Sequence, residues 1–204
     1  MNNKDLKVAV LGAGAMGCLF GGLLAEKGLN VTLIDVWKEH VEEINKNGLK
    51  MDGHGGDRFI KIPATSDPST IGKVDAVIVM CKATALEPAL KSIKNIIRDK
   101  TVFMSFQNGI GHEAIIKSIV GDEKVIGGTT TQASNILGPG HIMNHAALPS
   151  WIGEYDGGIT DRITEIADTF TAHNLEMIAA EDCKKKKMDE TFCFNRNWPT
   201  FSYF

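Results

Sequence analysis

The glycine cluster "GAGAMG" at residues 12–17 constrains this chain more than any other stretch. It sits directly behind the apolar run "KVAVL" and ahead of the apolar run "CLFGGLLA". A strand, a turn with glycine at its first, third and sixth places, and a helix follow one another without a spacer. An acid, Asp35, ends the next apolar strand 23 positions after Gly12. In that context the cluster is the fingerprint of a dinucleotide-binding turn. Gly12 permits the tight turn, Gly14 lets backbone amides approach a pyrophosphate, and Gly17 lets the helix pack close to the sheet. Ala13, Ala15 and Met16 complete the loop and belong to the same predicted site. The helix N-terminus offers unpaired N–H groups and a positive dipole end to the phosphates. The alternative is a glycine-rich turn that holds no ligand.

The remainder reads as β-α alternation, with "LKVAVLG" as a strand, Ala15–Lys27 as a helix ended by Gly28, and "NVTLID" as a strand. "WKEHVEEINKNG" is an amphipathic helix with Gly48 just past its end. "GLKMDG" and "RFIKIPATSD" are short extended pieces. "VDAVIVMC" is a strand leading into a helix over Thr84–Arg98, and "TVFMSF" is another strand. "EAIIKSIVG" is a helix and "KVIGGTTTQAS" a strand. "GPG" turns a hairpin that ends near "SWIGE", followed by a helix over Asp161–His173 and a strand "LEMIAA". Apolar strands alternating with helices predict a Rossmann-like, doubly wound α/β fold with a mostly parallel sheet. The dinucleotide domain is expected over residues 1–180.

The same glycines answer a competing reading of Val8–Ala25 as a secretory leader. Five glycines weaken an apolar helix there, no cleavage site precedes "EKG", and the protein is expected to be cytoplasmic. A net charge of −3 gives no reason to expect nucleic acid. The four cysteines, Cys18, Cys81, Cys183 and Cys193, form no CxxC pair and read as free thiols. His141 and His145 lie four apart, but in a predicted strand, where that spacing holds them far apart, so no metal is predicted.

Asp35 leaves the choice of dinucleotide open. A carboxylate there accepts from ribose hydroxyls and repels a 2′-phosphate, which leans to NAD, while Lys38 offsets the charge. Asp35 could also simply cap the helix that starts near Trp37.

Two further stretches lie where α/β sheets bind ligands. "VMCKATAL" sets Lys82 at the C-terminal end of a strand, and "SFQNGIGHE" sets Asn108 in an Asn-Gly turn after another. Together with the fingerprint, "GGTTTQAS" and "GPG…IGE", they resemble the ketopantoate reductase (2-dehydropantoate 2-reductase) family over about Lys7 to Glu154. The resemblance implies reduction of 2-dehydropantoate to (R)-pantoate with NADPH (NADP), or in some members NADH, in pantothenate and coenzyme A biosynthesis. It implies that Gly12–Gly17 hold the pyrophosphate and that Lys82, Asn108 and Ala133 line the cofactor path. Asn108 would orient nicotinamide and substrate. The partner is a small molecule, with neither nucleic acid nor membrane involved, and a homodimer is admitted. Asp35 departs from the basic residues of NADPH-specific members. A catalytically silent NAD(P)-binding module and a related 2-keto or 3-hydroxy acid dehydrogenase are the other readings.

The resemblance also implies a second, helical domain that opens on a W-x-K-L helix bearing the catalytic lysine. "CKKKKMDETFCFNRNW" stands there instead, and no residue matches that lysine. Residues 181–204 are therefore expected to be an aberrant tail. Met188-Asp189 must be encoded ATG-GAY, and a one-base shift forces Trp and permits K-W-M-K-L-F-V. A frameshift is the expectation, with a solvated lysine run as the alternative. Under the shift the catalytic position falls at about Glu190, and the chain is expected to bind dinucleotide but to reduce ketopantoate poorly.

Overall fold

A computed structural model describes residues 6–107, 109 and 111–189 of the chain. The first half runs β1 (Lys7–Leu11), α1 (Ala15–Glu26), β2 (Asn30–Ile34), α2 (Lys38–Asn47), β3 (Leu49–Gly53), β4 (Arg58–Ile60), β5 (Ala64–Thr65) and β6 (Val74–Val79). Then come α3 (Leu86–Ser92), β7 (Ile97–Ser105), α4 (His112–Val120), β8 (Val125–Thr130), β9 (Ser134–Gly138) and β10 (His141–Asn144). β11 (Ser150–Glu154), α5 (Asp161–Ala172) and β12 (Met177–Ala179) follow. Residues 183–189 form a last helical segment.

The main sheet has eight strands in the order β12-β11-β8-β7-β6-β1-β2-β5. β1 pairs in parallel with β2 on one side and β6 on the other, so strand order reverses beside it. β1 is buried on both faces because its side chains alternate between two cores. Val8 and Val10 pack with Phe20, Leu24 and Phe170 of α1 and α5. Ala9 and Leu11 pack with Leu86, Leu90 and Ile116 of α3 and α4. Continuous apolar strands thus become a doubly wound α/β sheet, as expected. Only β11 runs antiparallel to its neighbour β8, and β12 pairs in parallel with β11. A second sheet, β4-β3-β10-β9, packs beside α1. Among the described residues no helix is long and apolar enough to cross a membrane.

Three expectations need correction. The helix predicted over Thr84–Arg98 is helical as α3 only from Leu86 to Ser92, between single 3₁₀ turns at Ala83–Ala85 and Lys94–Ile96. Arg98 already lies in β7, where its N–H donates to Thr101 Oγ1 at 2.8 Å while that hydroxyl donates to Val74 O. Tertiary pairing of Ile97 with Val74 outweighs local helix propensity. Likewise "KVIGGTTTQAS" is not one strand. β8 ends at Thr130 and the chain crosses to the second sheet before β9 starts at Ser134. The Pro139-Gly140 turn does join a hairpin, but "SWIGE" returns to the main sheet beside β8.

Candidate functional site

The reversal of strand order leaves a crevice between the C-terminal ends of β1 and β6, the usual ligand position in an open α/β sheet. The glycine loop forms one wall. Gly12 has a φ of +99° and donates its N–H to Ile34 O at 2.8 Å. A Cβ on it would lie 2.5 Å from Cys81 N, so the loop after β6 packs directly on this backbone. A Cβ on Gly17 would lie 1.9 Å from Gly12 O, which forbids any side chain where α1 crosses the turn. Gly14 differs. Its φ of −66° suits any residue, and a Cβ there would meet nothing within 4 Å.

Gly14 is also the N-cap of α1, and no side chain caps that helix. The first amide groups of α1 therefore face the crevice without an intrahelical acceptor. Open space beside Gly14 and an uncapped, positive helix end fit a pyrophosphate on residues 12–17. Ala13 is buried beneath the loop, and Ala15 and Met16 are half-buried in the first turn of α1.

Asp35 stands at the end of β2 and holds the loop. Its Oδ2 accepts from Ala13 N at 2.7 Å and its Oδ1 accepts from Trp37 N at 2.9 Å. The bond to Trp37 N closes a turn ahead of α2 and is not a cap, since the N-cap of that helix is Trp37 and no side chain caps it. Each carboxylate oxygen keeps a lone pair for further donors. Lys38 is exposed at the first position of α2.

The opposite wall comes from the loops after β6 and β7. Lys82 is exposed and caps the short turn at Ala83–Ala85. Gln107 donates its side-chain amide to Cys81 O and so ties the two loops together. Asn108 lies outside the described residues. Ala133 is half-buried between β8 and β9, and its carbonyl accepts from His145 N at 3.1 Å. His141 turns Nε2 to Asp52 at 2.6 Å. That hydrogen bond holds the Asp52 carboxyl below the usual carboxylate range. Among the described residues no group of three His, Cys, Asp or Glu side chains could hold a metal.

Sequence reasoning missed several contributors. Gln107 was inside a quoted motif, but only the folded loops reveal its partner. Cys18 and His40, 3.3 Å apart under the glycine loop, carried no local signal. A cavity of about 300 Å³ at the other edge of the sheet, among Leu6, Ala76, Val102 and Ile166, is far from all these groups.

The segment at 183–189 is held to the rest of the chain at several points. Asp182 caps it, accepting from Lys185 N at 2.8 Å. Cys183 is buried and packs where β8 and β11 carry only glycine, at Gly127 and Gly153. Lys184 and Lys117 place their ammonium groups 3.6 and 4.1 Å from the Tyr155 ring centroid. Lys186 sits 4.2 Å from the Trp151 ring centroid. Lys187 is buried and pairs with Glu113 at 2.7 Å, in the first turn of α4. Glu190 and the rest of the chain lie outside the described residues.

The comparisons with known proteins agree with this geometry. The family model described as ketopantoate reductase PanE/ApbA matches residues 8–157. The 2-dehydropantoate 2-reductase of Pyrococcus horikoshii is 38% identical over 177 residues, which are 87% of this chain and 57% of that protein. That of Streptococcus pyogenes serotype M6 is 31% identical over 170 residues, 82% of this chain and 54% of that protein. Among solved structures, 2-dehydropantoate 2-reductase from Geobacter metallireducens superposes with a TM-score of 0.86 at 29% identity, covering 93% of this chain and 62% of that one. A ternary complex of D-mandelate dehydrogenase with NADH and anilino(oxo)acetate gives 0.86 at 30% identity, covering 93% of this chain and 61% of that one. The chain thus spans a little over half the length of the curated relatives it matches. With its strand order, glycine loop and matched span in agreement, the chain belongs to the ketopantoate reductase PanE/ApbA family.

Proposed function

We propose that this chain is the dinucleotide-binding part of a 2-dehydropantoate 2-reductase, which reduces 2-dehydropantoate to (R)-pantoate, and that it prefers NADH to NADPH. The observation that carries the reading is the uncapped N-terminus of α1 beside the open space at Gly14. Residues 12–17 would hold the pyrophosphate, and Lys82, Asn108 and Ala133 would line the path toward the nicotinamide. A bound nicotinamide dinucleotide supplies the hydride. Asp35 supports the preference, since a carboxylate there accepts from ribose hydroxyls and repels a 2′-phosphate.

Asn108 would orient the reacting carbonyl. No described residue matches the family's catalytic lysine, and Lys187, the one buried lysine among them, pairs its ammonium with Glu113. Loss of a positioned general acid costs about 10²–10⁴-fold in rate. A cytoplasmic location and a homodimer belong to the same reading and rest on the family alone. Residues 1–180 are the dinucleotide domain on this reading, and the docked segment at 183–189 opens the helical part that a frameshift disrupts after Lys187. Sequencing the gene through this region tests the frameshift: the shifted frame must stay open and encode W-x-K-L.

Titration of the purified chain with NADH and NADPH, followed by assay against 2-dehydropantoate and a panel of 2-keto acids, tests the function. Micromolar NADH binding, weaker NADPH binding and slow turnover confined to 2-dehydropantoate are expected. Faster turnover of another 2-keto acid would favour a related dehydrogenase, a reading that the likeness to D-mandelate dehydrogenase keeps alive. Binding with no turnover on any of them would leave a silent dinucleotide module. No binding of either nucleotide would sink the proposal.

A further inference from the structure

Three elements meet under the glycine loop at one imidazole. His40, on α2, is fully buried. Its Nδ1 accepts the N–H of Gly140 at 3.0 Å, from the turn between β9 and β10. Its Nε2 lies 3.3 Å from Cys18 Sγ on α1. Cys18 Sγ in turn donates to the carbonyl oxygen of Ala13 at 3.1 Å. The Trp37 indole stacks on the His40 ring, with centroids 4.8 Å apart and planes 14° from parallel.

The donors settle the tautomer. A backbone N–H only donates, so Nδ1 carries no proton, and the single proton of the neutral ring is on Nε2, aimed at Cys18. The thiol passes its own hydrogen bond to Ala13 O. On the other side of the same residue, Ala13 N–H donates to Asp35 Oδ2. Both the amide and the carbonyl of Ala13 are therefore anchored, one by Asp35 and the other by a relay that begins at the second sheet.

We propose that His40 is a positioning residue of the dinucleotide site: its neutral imidazole latches the Gly140 turn to the Ala13 carbonyl and holds residues 12–17 in the shape that receives a pyrophosphate. The inference rests on the reading of that loop as the dinucleotide site. A second proton on the ring would set one N–H against another at Gly140 and open the latch. Burial holds the imidazole below the usual histidine range, with the Asp35 charge and the nearby Ala13 backbone pulling the other way. The titratable groups around it are Cys18 from α1, whose thiol burial pushes up, and Asp35 from the end of β2. Glu43 of α2 packs at Gly140, and His141 of β10 is committed to Asp52. The sign follows. Above about pH 6.5 the ring is neutral whether buried or free, and the latch is closed. As pH falls through the depressed pKa of the buried ring, the latch opens and affinity drops.

The test is NADH affinity of the full chain by fluorescence titration from pH 8 down to the onset of acid unfolding, about pH 4.5, with thermal melting at each pH to confirm folding. Wild type is expected to bind well at pH 8 and to weaken toward acid with a slope of one proton. In His40→Asn the side-chain oxygen stands in for Nδ1 but cannot reach Cys18. It should bind about tenfold more weakly at pH 8, the order expected when a buried polar group loses its partner, and without the acid slope. His40→Gln reaches toward Cys18 and should recover part of the affinity, also without the slope. Should either variant fail to fold, Cys18→Ala cuts the relay one link further on and must likewise remove the slope. Nitrogen-15 shifts of the imidazole must show the Nε2–H form at pH 8. No NADH binding by wild type at pH 8 would overturn the dinucleotide reading itself. Binding that ignores pH in wild type, an acid slope that survives in the variants, or an Nδ1–H ring would overturn the role of His40 alone.

Discussion

Gly14 and Gly17 stand three positions apart and answer to different demands. Gly17 is required by the protein itself, because any Cβ would strike Gly12 O. Gly17→Ala is expected to cost about 3 kcal/mol or more, a core steric clash, read as a drop in the denaturation midpoint. Gly14 is required by nothing within 4 Å. Gly14→Ala should therefore leave the melting temperature within a degree or so (or raise it slightly, by restricting the unfolded chain) while lowering NADH affinity. A loss of stability in Gly14→Ala without a loss of affinity would contradict the phosphate site. Asp35 has two duties, and Asp35→Ser separates them. It should narrow the NADH over NADPH ratio by about tenfold, as a buried or charged hydrogen bond is lost, in a side-by-side titration of both nucleotides. An unchanged ratio would show that the carboxylate serves the loop alone.

At the scale of elements, the segment at 183–189 is joined to α4 by a buried ion pair whose two side chains are each 7% exposed. Removing one member leaves the other charged and desolvated. Lys187→Ala is expected to cost about 3–5 kcal/mol in chemical denaturation, and the paired change Lys187→Met with Glu113→Leu should recover most of it. A double variant as costly as the sum of the two single changes would show that the pair contributes no coupling. α4 follows the loop that Gln107 ties to Cys81 O, so this contact also braces one wall of the crevice. A similar brace holds α5 to β11, where Arg162 Nε donates to Glu154 Oε1 at 2.7 Å and the guanidinium grips the second oxygen as well. Burial pushes the Glu154 carboxyl up, but that grip outweighs it and holds the group below its ordinary range.

For the whole molecule, these paired carboxylates set the response to acid. Asp52 and Glu154 both bind protons less readily when folded than when unfolded. Their stabilisation is complete above the unfolded carboxylate range, about pH 4, and is lost as pH falls through the lower folded values. Stability should therefore fall steeply below about pH 4.5, and Asp52→Asn should flatten that fall in acid denaturation followed by circular dichroism. An unchanged acid slope would remove Asp52 from the account.

The order of strands and helices, the glycine turn and Asp35 at the end of β2 were legible because they depend on local pattern. Apolar strands of period two, a φ that only glycine tolerates, and an acid at a fixed distance all lie within short windows. Most expectations of that kind agree with the fold, including the hairpin turn at Pro139-Gly140. What failed was decided by distant partners. β7 takes Arg98 from a predicted helix because Val74 lies beside Ile97. "SWIGE" leaves the hairpin because β8 offers a free edge. The contacts of Lys184, Lys186 and Lys187 to Tyr155, Trp151 and Glu113 had no local signal, because those partners lie far away in sequence. His40 had no signal at all, since its partners are 22 and 100 residues away. Sequence alone determined that a tight glycine turn would form between β1 and α1, because backbone sterics act over a few residues. Only tertiary structure decided what braces that turn, because hydrogen bonds and ion pairs join whatever the fold brings within about 3 Å.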